Sequence, residues 1–522
     1  MTTAEWSSNN IDLDNPEFLR LWDLIEFTDQ SVFLTGKAGT GKSTFLRYII
    51  DHTAKEYVIL APTGLAAVNV GGQTLHSFFH IPLQPILPDD PEFAPERLRN
   101  RLSYSPRLIK ALKQIELIVI DEISMVRADV IDFIDKILRQ FGGDKRRPFG
   151  GKQLLLVGDV FQLEPVVTAD DRALLGKCYR NFFFFNASVF SSFGLVAIEL
   201  LKVYRQKENS FVELLDRIRS GNPGDSDLEA INSRLLPVHA TEAGAPTPVA
   251  DFGRMVMTLA ARRESVKIIN DFHLKSLDTP EITFTGEVSG EFPESAYPTD
   301  MQLTLKVGAQ VIFLRNDIDR RWVNGTLGIV TAADPDEGIT VRLESGAEYA
   351  VEKTQWENVS YEYDTKKKSV SANVKGTFTQ YPLKAAWALT IHKSQGLTFD
   401  NLIIDLGFGG AFTGGQVYVA LSRCTSLEGI SLMSPVARRD VFISDEIIRF
   451  SRNFNDETAQ RKAITKAKAD ELLEEAMRLL RRKDIVNAMK NAAKALELCP
   501  SRNTPLLQRY AAIRLTAALK KL

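Results

Sequence analysis

Hydrophobic and polar positions alternate differently in different parts of this chain. In the first 200 residues, SVFLT (Ser31–Thr35), LIVI (Leu117–Ile120) and LLLV (Leu154–Val157) are short, mostly apolar runs. Unbroken runs of that length suit parallel strands buried on both faces. STFLRYII, just beyond the first run, reads as a helix. From Leu303 the pattern becomes β throughout, in GAQVIFLRND, GTLGIV, GITVRLESGAEYAVEK and WENVSYEYD, with turns expected at Asn324-Gly325 and Ser345-Gly346. The tail switches to helical spacing, with Leu472, Ala476, Leu479 and Leu480 on one face.

Two stretches break these patterns. The Pro-rich segment from Phe79 to Lys110 ends with Arg97, Arg99, Arg101 and Arg107 and excludes a sheet strand. Pro237–Phe252 is rich in Ala, Pro and Thr and reads as a surface crossing. Phe182–Ile198 is the most apolar run, but Asn186, Ser188, Ser191 and Ser192 interrupt it, so it is expected in a core and not in a membrane.

The 522 residues, 44% of them hydrophobic, can supply cores for several domains. A net charge of −2 excludes a polybasic protein that holds nucleic acid by bulk charge. The charge is uneven. Residues 461–522 carry fifteen Lys and Arg against six Asp and Glu, which leaves the first 460 residues at −11. Three scattered Cys and an N-terminus without a basic or Arg-rich leader point to a reducing, cytoplasmic setting.

The chemistry lies where the apolar runs stop. GKAGTGKS follows the first run and precedes the helix, so Gly36, Ala38, Gly39, Thr40, Gly41, Lys42, Ser43 and Thr44 form a phosphate-binding loop. Its glycines let backbone N–H groups converge on phosphate, Lys42 meets the β and γ phosphates, and Ser43 offers its hydroxyl to Mg²⁺. At the end of the second run Asp121 is placed to hold Mg²⁺ and Glu122 to activate water. The third ends in GDVFQLEPV, where Gln162 can sense the γ-phosphate and Asp159 can orient it. Together these describe ATP hydrolysis with Mg²⁺.

GKAGTGKS, APTGLAAVNVGGQTLHSFF, DEISM, GDVFQLEPV, VYRQ, TIHKSQGLT and VALSRC occur in the order found in superfamily 1 DNA helicases. The set, with DEISMVRADVIDFIDKILR, resembles the Pif-type (petite integration frequency) helicases, related to RecD and Dda. The resemblance implies an α/β fold of two RecA-like P-loop motor domains. The first spans 1–195 with a small wedge insertion at about 77–110, and the second 196–450 with an SH3-like β-barrel at about 305–384. A basic helical extension covers 456–522, within which AMKNAAKALELCP resembles one helix of a tetratricopeptide repeat.

The resemblance further implies that Arg205 and Arg423 reach the γ-phosphate from the second domain, with Gly396 at the nucleotide. Pro62, Thr63, Gly64 and His76 on the first domain, and Thr390, His392, Lys393 and Ser394 on the second, fall in DNA-contacting segments. Lys366–Lys368 is a further candidate for phosphate. The implied activity is 5′ to 3′ translocation of a monomer on single-stranded DNA, acting on duplexes, junctions, DNA–RNA hybrids and G-quadruplexes. A RecD-like recombination subunit, or a remodelling factor whose ATPase gates binding without unwinding, are the alternatives. Two positions depart from the family. No Gln matches the adenine-reading spacing, since Gln30 is too near the first strand, and Glu164 stands where many relatives have Pro.

Overall fold

The structure, a computed structural model, describes residues 15–500 apart from 38, 83, 205–208, 237, 241–245, 249–254, 320, 365–368, 408 and 483. Six parallel strands form the first sheet: β1 (Val32–Gly36), β2 (Tyr57–Ala61), β3 (Gln73–Thr74), β4 (Leu117–Ile120), β5 (Gln153–Val157) and β6 (Val196–Leu200), in the order β3-β2-β4-β5-β1-β6. Their side chains alternate between two cores. Phe33, Ile118, Ile120 and Leu156 face one, while Val32, Leu34, Val119 and Val157 face the other. Helices Pro16–Phe27 and Lys42–His52 cover the second face, where the Phe18 and Phe45 rings lie 4.8 Å apart. Because Leu34 pairs with Val157 and Leu156 with Ile120, β1, β4 and β5 finish nearly level at one edge. Open parallel sheets bind ligands at that edge.

The expected boundary at residue 196 is corrected by this sheet. Val196–Leu200 pairs with β1 along its whole length, so it belongs to the first sheet. The boundary at 450 moves as well. Helix Asp445–Ser451 lays Ile447 and Phe450 on the first core, and the Asn455 amide donates to the Ala197 carbonyl at 3.0 Å. A local apolar pattern cannot reveal which sheet a strand joins, because that is set by pairing across the chain.

The second sheet is also parallel, in the order Ala388–Thr390, Met257–Ala260, Leu402–Asp405, Ile430–Leu432, and has its own core. Between its first and second strands in chain order lies an antiparallel insertion of five strands: Gln310–Phe313, Leu327–Asp334, Gly338–Leu343, Glu348–Val351 and Leu383–Ala385. It begins ahead of residue 305, since Ile282–Thr285 pairs with Gln302–Leu305 and contributes Phe284 to the same core. Gly325 and Gly346 adopt φ of 96° and 84° at the two expected turns, a region that only glycine enters freely. Thr354–Asp364 and Ser369–Gln380 form a long ribbon whose tip, with Lys366–Lys368, lies outside the described residues.

The Pro-rich stretch holds helices Pro95–Leu102 and Pro106–Gln114, and the latter meets both ribbon strands. Prolines at the first turns start these helices without losing a hydrogen bond. Phe182–Ile198 is core, as expected. It makes two 3₁₀ turns with Phe183, Phe184 and Val189 buried, and no described helix is long and apolar enough to cross a membrane. The tail forms helices Glu457–Arg481 and Ile485–Leu498, which pack on one another. The first also lies on Pro16–Phe27, with Ala463 in the core there and Arg20 3.3 Å from Glu457.

Candidate nucleotide cleft and its surroundings

The loop after β1 is folded as a phosphate cradle. Gly36, Gly39 and Gly41 have φ of 152°, 81° and 87°, and Gly41 starts helix Lys42–His52 with no side-chain cap. The first amides of that helix therefore remain available to an anion. A Cβ on Gly36 would lie 2.6 Å from Thr40 Oγ1 and 2.9 Å from the Leu200 carbonyl oxygen, so only glycine fits. Thr40 is buried and its hydroxyl donates to the Lys37 carbonyl at 2.9 Å. Lys42 Nζ donates to the Gly36 and Lys37 carbonyls at 2.6 and 3.0 Å, which points the ammonium into the cradle. Ser43 and Thr44 are exposed in the first turn, and Ala38 lies outside the described residues.

Next to the cradle, β4 ends in the acidic pair. Glu122 has φ 50°, a left-handed conformation strained for a residue with a Cβ. Its amide donates to Asp121 Oδ1 at 2.9 Å. Burial and the neighbouring Asp121 charge push the Glu122 carboxyl up to about 7, against the opposing pull of Lys42 and Arg423. Burial also raises Asp121, with the Glu122 amide and Lys42 opposing it. A base poised near neutrality suits activation of water. Ser43 and Asp121 supply hard oxygen donors that fit Mg²⁺, though too few to hold it without phosphate and water. When bound, Mg²⁺ would neutralise phosphate charge there.

Glu122 is expected to set the acid limb of turnover. A carboxyl raised to about 7 is ionised above that pH and protonated below it. kcat/KM for ATP should be flat above neutrality and fall about tenfold per pH unit below it. A stopped-rate ATPase series across pH 5 to 9 checks this. A profile that stays flat down to pH 5 would remove Glu122 from the role of base.

The third motif brings the second half of the molecule into the cleft. Asp159 and Gln162 are buried, and Gln162 Nε2 approaches Asp159 Oδ2 at 3.5 Å, the orienting contact expected between them. Gln395 Nε2 reaches Gln162 Oε1 at 3.4 Å from across the cleft. Gly415, φ 74°, closes against the same loop, where a Cβ would lie 2.3 Å from the Gln162 carbonyl oxygen. Arg423 is buried, and burial lowers its guanidinium. It donates to the Val419 carbonyl at 3.1 Å, the Ser422 hydroxyl at 3.0 Å and the Leu397 carbonyl at 3.5 Å, all neutral acceptors. Gly396 is exposed beside it, and Arg205 lies outside the described residues.

The DNA-segment residues divide. Pro62, Thr63 and Gly64 are half-buried after β2, with the Thr63 hydroxyl capping helix Gly64–Asn69. His76 borders a cleft of about 850 Å³ that also touches Ser77, Ser105, Asn358 and Lys375. Burial lowers His76, assisted by Arg127, and lowers His392, assisted by Arg263. Burial also lowers Lys393, with Lys384 and Arg263 beside it. Ser394 departs from expectation. It is fully buried and its hydroxyl donates to the Ile391 carbonyl at 2.8 Å, so it is not presented to a strand. Thr390 is buried too, and its hydroxyl caps the 3₁₀ turn that holds His392 and Lys393.

Gln30 is excluded from the nucleotide by position. Its amide donates to the Ser31 and Gly194 carbonyls at 3.1 and 2.6 Å, at the end of β1 opposite the cradle. Sequence reasoning missed Lys37, which pairs with Asp216, and Arg219, which pairs with Asp159 and Glu199. The available signal was Arg219 beside the apolar stripe Phe211, Leu214, Leu215 and Ile218 of its helix.

A family model described as PIF1-like helicase matches residues 23–227. The ATP-dependent DNA helicase Pif1 of Bdellovibrio bacteriovorus is 33% identical over 448 residues, covering 84% of this chain and 92% of that protein. The chain belongs to the PIF1-like helicase family. With it, the chain belongs to the ATP-hydrolysing helicases. The Homo sapiens relative, ATP-dependent DNA helicase PIF1, is 32% identical, and the alignment covers 78% of this chain but 59% of that longer protein. Pif1 from Bacteroides sp. in complex with ADP-AlF4 is 38% identical, with TM-score 0.74 over 84% of this chain and 96% of that one. The same Bacteroides protein bound to ssDNA superposes with TM-score 0.59 over 85% and 97%. A PIF1-like helicase fold accounts for the two parallel sheets facing one cleft.

Proposed function

We propose that the chain is an ATP-driven DNA helicase that moves 5′ to 3′ on single-stranded DNA and unwinds duplexes, DNA–RNA hybrids and G-quadruplexes. The observation that carries the motor reading is convergence. Lys42, Glu122 and Gln162 approach from the first sheet, and Gln395 and Arg423 from the second, into one cleft. A γ-phosphate bound there would join the two halves, and its loss would release them. Arg205 is assigned the same role as Arg423 by its place in VYRQ. Ser43 and Asp121 are assigned to Mg²⁺ by their donor chemistry.

The DNA reading is supported by the Bacteroides relative bound to ssDNA and by the depressed titration of His76 and His392. Neutral imidazoles and half-buried hydroxyls grip phosphate weakly enough to release it at each step. Pro62, Thr63, Gly64, His76, His392 and Lys393 are assigned to the strand. The helices within 77–110 act as the wedge and the five-stranded insertion as an SH3-like barrel. The contact of helix Pro106–Gln114 with the ribbon lies at the cleft beside His76. The basic extension adds nonspecific phosphate contacts, and the protein works as a monomer at the nucleoid.

Polarity follows from the resemblance to Pif-type helicases. Matched duplexes with a 5′ or a 3′ single-stranded tail, given ATP and Mg²⁺, test helicase function and direction together. Unwinding of the 5′-tailed substrate alone is expected. Unwinding of the 3′-tailed substrate alone reverses the polarity, and DNA-stimulated hydrolysis without strand separation favours a remodelling factor.

A further inference from the structure

Helix Asn209–Arg219 packs its apolar stripe into the second core, yet it ends in a cation that points into the first domain. The Arg219 side chain is 9% exposed. Its Nη1 donates to Glu199 Oε1 at 2.8 Å and its Nη2 to Asp159 Oδ1 at 3.1 Å, while the guanidinium lies 4.2 Å from the centre of the Phe161 ring. Asp159 follows β5 and Glu199 lies in β6. One residue of the second domain thus clamps two carboxylates of the first.

The clamp is placed where pairing has alternatives. Arg423 feels the charges of both Glu122 and Asp159, and Glu122 feels those of Asp159 and Arg423. Glu199 sits instead in β6, in register with Thr35 of β1, with its side chain 17% exposed. In a desolvated cleft, an unpaired carboxylate draws in any guanidinium within reach, because Coulomb attraction there is far stronger than in water. Arg219 already satisfies Asp159. Among the described residues no carboxylate pairs with Arg423, which keeps only neutral acceptors.

We propose that Arg219 is a positioning residue that sorts the charges of the cleft: by holding Asp159 it prevents that carboxylate from capturing Arg423, whose guanidinium stays available to the γ-phosphate. The same clamp ties the γ-phosphate-sensing loop of the first domain to the helix that opens the second. This rests on the reading of Arg423 given above. A stable ion pair alone would need one carboxylate; here two are held, and the one nearer the chemistry is the one that competes for Arg423.

Four full-length variants test it: Arg219→Met, Arg219→Met with Asp159→Asn, Arg219→Met with Glu199→Gln, and Arg219→Lys. ATPase is measured at saturating single-stranded DNA, with nucleotide affinity and melting temperature for each. Arg219→Met is expected to lower kcat about 100-fold with KM changed less than about threefold. Adding Asp159→Asn should recover roughly tenfold of kcat, while adding Glu199→Gln should recover none. Arg219→Lys, which keeps the charge, should fall between wild type and Arg219→Met. Both second changes remove a carboxylate stranded by the loss of Arg219, Asp159 fully buried and Glu199 17% exposed, so a purely structural role predicts that kcat recovers only as melting temperature does. Equal recovery, or kcat that follows melting temperature across the set, overturns the proposal. Arg423→Ala with unchanged turnover would instead overturn the reading of Arg423, whatever Arg219→Met does.

Discussion

Lys42→Ala is expected to lower DNA-stimulated ATP turnover about 10³-fold. The Lys42 ammonium is held by the Gly36 and Lys37 carbonyls at the mouth of the cradle. Phosphate oxygens would replace those carbonyls, and the ammonium would then oppose the negative charge developing on the transferring group. Alanine removes the charge without disturbing the fold, since helix Lys42–His52 keeps its buried face of Phe45, Leu46 and Ile49. Steady-state hydrolysis with and without single-stranded DNA provides the measurement. Retention of more than about a tenth of wild-type turnover would contradict the assignment. Wild-type hydrolysis that ignores added DNA would contradict the motor reading as a whole.

Arg423→Ala is expected to cut kcat about 10³-fold while nucleotide affinity changes only a few-fold. The reason is the position of Arg423 in the second half of the cleft, behind the helix Gln416–Leu421, with neutral hydrogen-bond partners only. A guanidinium so placed would meet the γ-phosphate only when the halves close, and would then act on the transition state more than on the ground state. Fluorescent nucleotide binding alongside steady-state hydrolysis separates the two effects. If affinity collapses in parallel with kcat, Arg423 binds ATP in the ground state and is no finger.

The fold was legible in the sequence to the extent that its determinants are local. β1, β4 and β5 were readable because a parallel strand buried on both faces needs an unbroken apolar run. The cradle was readable because Gly36, Gly39 and Gly41 must take φ values that other residues avoid. Val196–Leu200 looked like the start of a new domain because its own residues say nothing about pairing with β1. Ser394 was placed among the DNA contacts because it stands in the TIHKSQGLT motif, while a single 3₁₀ turn buries its hydroxyl against Ile391. Arg219 was passed over because a charge at a helix end is ordinarily solvated.

By itself, the sequence determined the chemistry of each strand end: a glycine-rich cradle with Lys42, an acidic pair at Asp121 and Glu122, and an amide at Gln162. These follow from residues adjacent in the chain, whose backbone preferences and functional groups act over a few ångströms. Only the tertiary structure decided how the pieces share a cleft. Parallel register brings β1, β4 and β5 level, Gly415 lets the second domain close on the Gln162 loop, and Arg219 claims Asp159 and so leaves Arg423 with neutral partners. Those outcomes depend on desolvation and on charges brought together from residues 122 to 423, and electrostatic competition of that kind has no signature in any local stretch of sequence.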